Sequence, residues 1–375
     1  MRILLVTSAY YPYPSGVSEH VHHQANELQA LGHSVSILTT HYKLGIEDKV
    51  ETNIPVERFG HAILIPGNMS FATLPVGLRM PFQVRNHLKE NLDIIHMHGV
   101  FPPEIGFWAL HYSRTVNVAT FLTYSEKGPF LPTTLIHKIF RNYIKKLNGK
   151  IAISNACKSS IERYIPGDYR VIPSGVDINR FSPENEPLEE FKDFDCPILL
   201  FLGRLDKRKG LTVILKALPV VLKEFGKLKL VVVGRGPELS SAKKMVKELG
   251  IEGAVLFKGY VSKQALPRYY ASCQIFISPA LGGEALGIVL LEAMASGKSV
   301  IASNIAGYNE VISDGNNGIL FPVGDHQALA QQIIMVLDKQ DLRGCLEKNG
   351  RATSLAYSWK EVARRVEYYY YELLR

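Results

Sequence analysis

The 375-residue sequence predicts an α/β protein built as two doubly wound parallel-sheet domains facing across a cleft. Three observations predict it. Apolar β-rich runs alternate with helical segments along nearly the whole chain. The alternation pauses once, at a Ser/Pro/Glu-rich stretch from Ser182 to Asp195. Each half also opens on the same device, a buried strand followed by a glycine-bearing turn and a helix. Continuous apolar strands separated by helices imply parallel sheets covered on both faces, a Rossmann-like layout.

In the first half ILLVTSAY precedes the loop Tyr11–Gly16 and a helix over Val17–Leu31, which Gly32 ends before the strand VSILTT. Strands near Asp93–His98, Val118–Thr123 and Ile151–Ser154 continue it. In the second half ILLFLGRL precedes the basic turn Asp206–Gly210, a helix over Leu211–Phe225 and the strand KLKLVVVG. Strands at Val255–Phe257, Ile275–Ser278 and Ser299–Ala302 follow. The expected divisions are 1–172, a linker at 173–195, and 196–355. A last helix, within 356–375, is expected to pack back towards the first domain. In such folds the loops at strand C-termini line the ligand crevice.

A hydrophobic fraction of 46% with mixed charge describes a globular chain, and no apolar run reaches the length of a membrane span. The N-terminus reads as a strand and turn, not a cleavable signal. Cys157, Cys196, Cys273 and Cys345 have neither disulfide nor zinc spacing and read as reduced thiols of a cytoplasmic protein. The net charge of +8 is uneven: Lys127–Lys150 holds six Lys/Arg (Lys127, Lys138, Arg141, Lys145, Lys146, Lys150) and no acid. Such a segment suits an anionic partner or a solvated helix face. Nucleic acid, resting on that segment alone, is not expected as a partner.

The most informative stretch is Ser278–Lys298, SPALGGEALGIVLLEAMASGK. Glu284 stands on a glycine-rich turn and Glu292 lies eight residues on, with an apolar helix expected from about Ala285 to Ala295. Eight helical residues rise about 12 Å and advance about 80° past two turns, so the pair suits two parts of one long ligand. A helix N-terminus between them is a seat for phosphate. Sugar hydroxyls, a diphosphate and ribose hydroxyls follow that order in a sugar nucleotide. Arg204, Lys207, Arg208 and Lys209 follow a strand end and suit a diphosphate, while Gly16 lets backbone approach the same group. His20, His22 and His23 share one helix without metal-pair spacing, and no metal-ligand cluster is evident. His96 and His98 are read as facing opposite sides of a strand end, either within reach of the cleft.

These motifs together resemble a known family. The residues GR…KG at 203–210, VGRG at 233–236, Glu-x7-Glu at 284–292, IPSGVD at 172–177, DIIHMH at 93–98 and AG at 306–307 are similar to retaining glycosyltransferases of GT-B architecture, CAZy family four. PSGVSEHV, VATF and LGGEALGIVLLEAM look most like bacterial phosphatidylinositol mannosyltransferases. The resemblance implies a hexose moved from a GDP- or UDP-linked donor, without a metal or other cofactor, to a lipid or polyol-phosphate acceptor. Arg204 and Lys209 would hold the donor diphosphate, Glu284 the transferred sugar, and Leu286, Gly287 and Ile288 would meet sugar or phosphate through backbone. Glu292 would bind ribose, Gly16 and Gly234 would border the diphosphate, and backbone near Gly259 and Tyr260 would read the base. Same-face attack, with the leaving phosphate taking the acceptor proton, needs no opposed second carboxylate.

Two positions depart from the family pattern. Leu122 stands where a histidine usually sits by the donor sugar, with Tyr124 and His98 as nearby replacements. Ser15-Gly16 replaces a glycine pair. The alternatives are a soluble saccharide acceptor, or a sugar-nucleotide binder whose catalysis Leu122 impairs. Finally, Met69–Lys89 mixes apolar Phe71, Leu74, Leu78, Met80 and Phe82 with Arg79, Arg85 and Lys89. Read as exposed, it suits an anionic membrane surface and a peripheral place at the inner leaflet.

Overall fold

The computed structural model describes residues 1–13, 15–42, 52–67, 70–124 and 142–375; of residues 64–67 and 70–73 it describes the backbone alone. The chain forms two compact units, Met1–Gly175 with Trp359–Arg375, and Val176–Ser358.

The first unit holds an eight-stranded sheet in the order β4-β3-β2-β1-β5-β6-β7-β8. Its strands are β1 (Arg2–Thr7), β2 (Ser34–His41), β3 (Val56–Gly67), β4 (Ser70–Val76), β5 (Ile94–His98), β6 (Val116–Phe121), β7 (Gly149–Ala152) and β8 (Arg170–Val171). All neighbours pair in parallel except β3 and β4, an antiparallel hairpin whose register runs from His61↔Val76 to Gly67↔Ser70. That hairpin breaks the expected parallel regularity at one edge.

The first helix runs Gly16–Ala30, one residue earlier at each end than the pattern predicts, because Ser15 caps it by accepting from the Ser18 amide. Its buried face, Val21, Ala25 and Leu28, packs in one core with Ile3 and Leu5 of β1 and with Trp359, Val362, Val366 and Tyr370 of the last helix, Trp359–Leu374.

The second unit holds β9 (Ile198–Leu202), β10 (Lys229–Val233), β11 (Val255–Gly259), β12 (Ile275–Ser278), β13 (Ser299–Ser303) and β14 (Ile319–Phe321). They pair in parallel throughout, in the order β11-β10-β9-β12-β13-β14. The helix Leu211–Phe225 falls on the residues its periodicity predicts, bounded by Gly210 and Gly226, both at φ 68°. It buries Leu211, Ile214, Leu215 and Leu218 in a core with Leu199, Phe201, Leu230 and Ile277.

The stretch read as a linker behaves differently from 176 onward. It belongs to the second unit. Phe181 and Phe191 are buried, and the Leu188 amide donates to Ser272 Oγ at 2.9 Å. Its aromatic residues supply enough apolar surface to pack, whatever its Ser/Pro/Glu content.

Candidate active site

In both sheets the strand order reverses between the first strand and its later neighbour, β1/β5 in one unit and β9/β12 in the other. Loops leaving the C-terminal ends at such a reversal diverge and leave room for a ligand.

In the second unit the loop after β9 carries Gly203 to Gly210. Asp206, only 7% exposed, caps the short 3-10 turn Lys207–Lys209 by accepting from the Lys209 amide, and its Oδ2 accepts from Arg204 Nε at 2.9 Å. The turn closes on Gly210, where a side chain is excluded twice over. Its φ is left-handed, and a Cβ there would lie 2.0 Å from the Pro279 carbonyl oxygen. The loops after β9 and β12 therefore touch backbone to backbone, and the Leu281 amide donates to the Arg208 carbonyl at 2.8 Å.

That contact brings together residues 75 positions apart. Lys209 Nζ lies 2.8 Å from Glu284 Oε1, and Arg208 Nη1 donates to the same oxygen and to the Gly283 carbonyl, the latter at 3.1 Å. Glu284 is half-buried with both cations as partners. Arg208 is the contact to Glu284 that sequence reading underweights. It belongs to the basic cluster, but nothing in the sequence distinguishes it from Lys207, which is exposed. Three of the cations pair with two carboxylates, Arg204 with Asp206 and Arg208 and Lys209 with Glu284, and exposed Lys207 adds a fourth positive charge. The surplus of positive charge suits a bound diphosphate.

The helix after Glu284 starts later than expected. It runs Ile288–Ala295, and Gly287, at φ 86°, holds the N-cap with no side-chain cap. The left-handed glycine breaks the helix that 285–287 would otherwise extend, so Glu284 lies on a separate turn. Leu286 is buried and Ile288 half-buried. The turn sits on residues 307–308: a Cβ on Gly307 would lie 2.1 Å from the Glu284 carbonyl oxygen, and one on Gly287 would lie 2.7 Å from the Tyr308 ring. Tyr308, fully buried, bonds Ser278 Oγ at the end of β12 at 2.6 Å. Glu292 accepts from Tyr270 Oη at 2.8 Å. Gly234 (φ 137°) approaches the Gly203 carbonyl too closely for any Cβ, and its amide donates to the Gly259 carbonyl at 2.7 Å. Three strand ends are thus laced together beside Tyr260, whose ring is half exposed.

In the first unit Gly16 opens the first helix, and a Cβ at that position would meet nothing within 4 Å. The histidine reading needs correction. His96 and His98 are two residues apart on β5, so their side chains share a face. Their rings stack at 4.6 Å, and neither reaches solvent. Gln24 joins them, its amide nitrogen donating to His96 Nδ1 at 3.2 Å and its oxygen accepting from His98 Nε2 at 2.9 Å. Tyr370 Oη also lies in hydrogen-bond contact with His96 Nδ1, and His96 Nε2 bonds Thr120 Oγ1 at 2.6 Å. With Nε2 committed and its ring buried, His98 is not a replacement for a histidine at 122.

Burial pushes His20 and His96 down to about 3, and His98 well below the usual imidazole range. All three stay neutral in the fold, while the unfolded chain takes up protons below about pH 6.5. Stability is therefore full above that pH and falls as the pH drops towards about 3. The urea midpoint of the first unit is expected to drop clearly between about pH 7.5 and about pH 5. A flat profile would mean the cluster is charged or open.

Two further expectations change. Among the described basic residues Lys146 caps the helix Ile105–Tyr112, its Nζ donating to the Leu110 and His111 carbonyls at 2.8 and 2.6 Å, and Lys150 lies over the Tyr169 ring. Lys127, Lys138 and Arg141 lie outside the described residues. In the 69–89 stretch Met80 is buried and Leu74 half-buried, whereas Leu78 is 98% and Phe82 63% exposed. Met69 and the Phe71 side chain lie outside the description. Among the described residues no three His, Cys, Asp or Glu gather to hold a metal, and no helix is long and apolar enough to cross a membrane.

A clustered cation–carboxylate site at the reversal point of a doubly wound sheet suits a phosphorylated ligand, and comparison with known proteins narrows the class. Residues 14–180 match the family described as Glycosyltransferase Family 4, and residues 184–353 match Glycosyl transferases group 1. The chain is 33% identical over 371 residues to the phosphatidyl-myo-inositol mannosyltransferase of Mycolicibacterium smegmatis, covering 98% of this chain and 92% of that one. It is 30% identical to the alpha-monoglucosyldiacylglycerol synthase of Streptococcus pneumoniae, covering 90% and 78%. A solved glycosyltransferase from Rickettsia africae superposes with a TM-score of 0.79 at 22% identity, over 100% of this chain and 98% of that one. The chain belongs to the group 1, family 4 glycosyltransferases of GT-B fold.

Proposed function

We propose that this glycosyltransferase moves a hexose, such as mannose, from a GDP- or UDP-linked donor to a lipid or polyol-phosphate acceptor such as phosphatidylinositol. The transfer retains configuration and needs no metal. The observation that carries the reading is Glu284 held between Arg208 and Lys209 beside the Asp206-anchored Arg204. Breaking the bond between the anomeric carbon and phosphate builds negative charge on the diphosphate and positive charge on the sugar. Arg204 and Lys209 oppose the first and the Glu284 carboxylate the second, all as fixed charges that need little reorganisation. The acceptor oxygen bonds to the anomeric carbon on the face the phosphate leaves, and its proton passes to the departing phosphate oxygen. Glu292 takes the ribose hydroxyls, while the backbone at Leu286, Gly287 and Ile288, with Gly234, borders sugar and phosphates; Tyr260 lies by the base.

The lipid acceptor is supported by the two relatives, whose names both describe glycosylation of a lipid. Exposed Leu78 and Phe82, on and just before the helix Met80–His87, lie among exposed Arg79, Arg85 and Lys89. That surface suits shallow insertion into an anionic leaflet, and so a cytoplasmic enzyme held peripherally at the inner face of the membrane.

Titrating UDP-, GDP- and ADP-sugars by calorimetry, followed by transfer assays, tests the reading. One donor is expected to bind and turn over, with binding clearly weakened but still measurable in Glu292→Ala. No binding by any donor would overturn the site. Salt-sensitive co-sedimentation with phosphatidylglycerol vesicles, weakened in Phe82→Asp, is expected for the lipid acceptor. Turnover on free saccharides without vesicle binding would favour the soluble-acceptor alternative.

A further inference from the structure

We propose that Tyr270 is a positioning residue for nucleotide recognition: its hydroxyl, donating to Oε2 of Glu292, fixes the carboxylate that receives the donor ribose. The inference rests on the donor-site reading above and adds to it a residue that none of the sequence motifs contains.

Tyr270 lies on the short helix Leu266–Ala271, before β12, and is fully buried. Its ring packs against Phe181, T-shaped at 5.6 Å, and Phe276 at 5.4 Å, so the phenol has one settled direction. The hydroxyl meets Glu292 Oε2 at 2.8 Å and the Val289 carbonyl at 3.3 Å. One group therefore reaches both the first turn of the helix Ile288–Ala295 and the carboxylate one turn further along it. Burial, then the charge of Glu292, holds the phenol well above its ordinary range, so it stays protonated as a donor.

The physical consequence concerns rotation. A half-buried glutamate has several rotamers, and its carboxylate offers about four acceptor sites. Two adjacent ribose hydroxyls need both oxygens in one plane, and a hydrogen bond that fixes Oε2 sets that plane before the ligand arrives. Losing that bond loosens the plane, so that part of the ordering falls at the moment of binding and weakens affinity. A hydroxyl serving the fold alone would be satisfied by Val289, with no influence on the ribose.

Tyr270→Phe keeps the ring and removes only the bond. The full-length enzyme is titrated with UDP and GDP, and the one that binds is compared with its 2′,3′-dideoxy analogue. In the wild type, loss of the ribose hydroxyls is expected to weaken binding strongly. In Tyr270→Phe the natural nucleotide should bind about tenfold more weakly while the dideoxy analogue is unchanged within about twofold. The donor KM should rise to match, with kcat within about twofold. Equal weakening of both nucleotides, or of neither, would overturn the inference. Placing Tyr270→Phe in a Glu292→Ala background is a second measure: no added loss is expected there, and a full added loss would assign Tyr270 to the fold alone. Failure of the donor-site reading looks different, since nucleotide binding would then be absent or indifferent to Glu292→Ala.

Discussion

Lys209→Ala is expected to lower kcat/KM by about a hundredfold to a thousandfold, the range found when one preorganised donor to a developing anion is removed. Lys209 does two things at once. Its Nζ lies 2.8 Å from Glu284, and its ammonium is one of the cations the departing diphosphate would meet. An ammonium has three donors and serves both partners. The fold should survive, because Arg208 still holds Glu284 and Asp206 still caps the turn through the residue-209 amide. The check is steady-state kinetics beside a melting curve. A melting temperature within a few degrees of wild type, with turnover lost, assigns Lys209 to chemistry. Turnover within fivefold of wild type would mean that Arg204 and Arg208 carry the leaving-group charge.

Leu122→His is expected to raise kcat by up to about a hundredfold, with donor affinity changed less than threefold, if one transition-state hydrogen bond is what the leucine lacks. Leu122 is half-buried just beyond β6. The carbonyls on either side of it, of Phe121 and Thr123, both accept from Cys157 Sγ, at 3.1 and 3.2 Å. Burial pushes that thiol up to about 11, so it remains a donor and the loop stays pinned. The substitution therefore changes a side chain on a fixed backbone. Single-turnover rates with saturating donor, in both proteins, measure it. A wild type that turns over well and a histidine variant that is no faster would make leucine the native choice at this position. A silent wild type rescued by histidine would identify a binder that has lost its chemistry.

The strands and helices that the sequence discloses are those whose signal is local. The helix Leu211–Phe225 has glycines at both ends and apolar residues at helical spacing, and its bounds follow from those alone. The Ile288 helix start does not, because nothing in the letters marks Gly287 as left-handed rather than helical. The β3–β4 hairpin is likewise hidden, since its strands carry Arg58, His61 and Pro66 among their apolar residues. The candidate site divides along the same line. Arg204, Lys209, Glu284 and Glu292 sit in compact motifs. Their supports do not: Tyr270 and Tyr308 come from 22 residues before Glu292 and 24 after Glu284, and look like ordinary core aromatics. Placing His96 and His98 on opposite faces contradicts the period of a strand, in which a residue two positions on returns to the same side.

The first unit is discontinuous, closing its core with Trp359, Val362, Val366 and Tyr370 only after the whole second unit has been traversed. During synthesis on the ribosome, Val176–Ser358 can fold as it emerges, whereas the first unit waits for the last 17 residues. Until then, the apolar surface that Trp359 covers at Gly175, and the face of the first helix, stay open to water or to chaperones. Any attempt to express the first unit alone must therefore graft residues 359–375 onto it, and a chain cut before Trp359 would leave the half of the protein made first without part of its core.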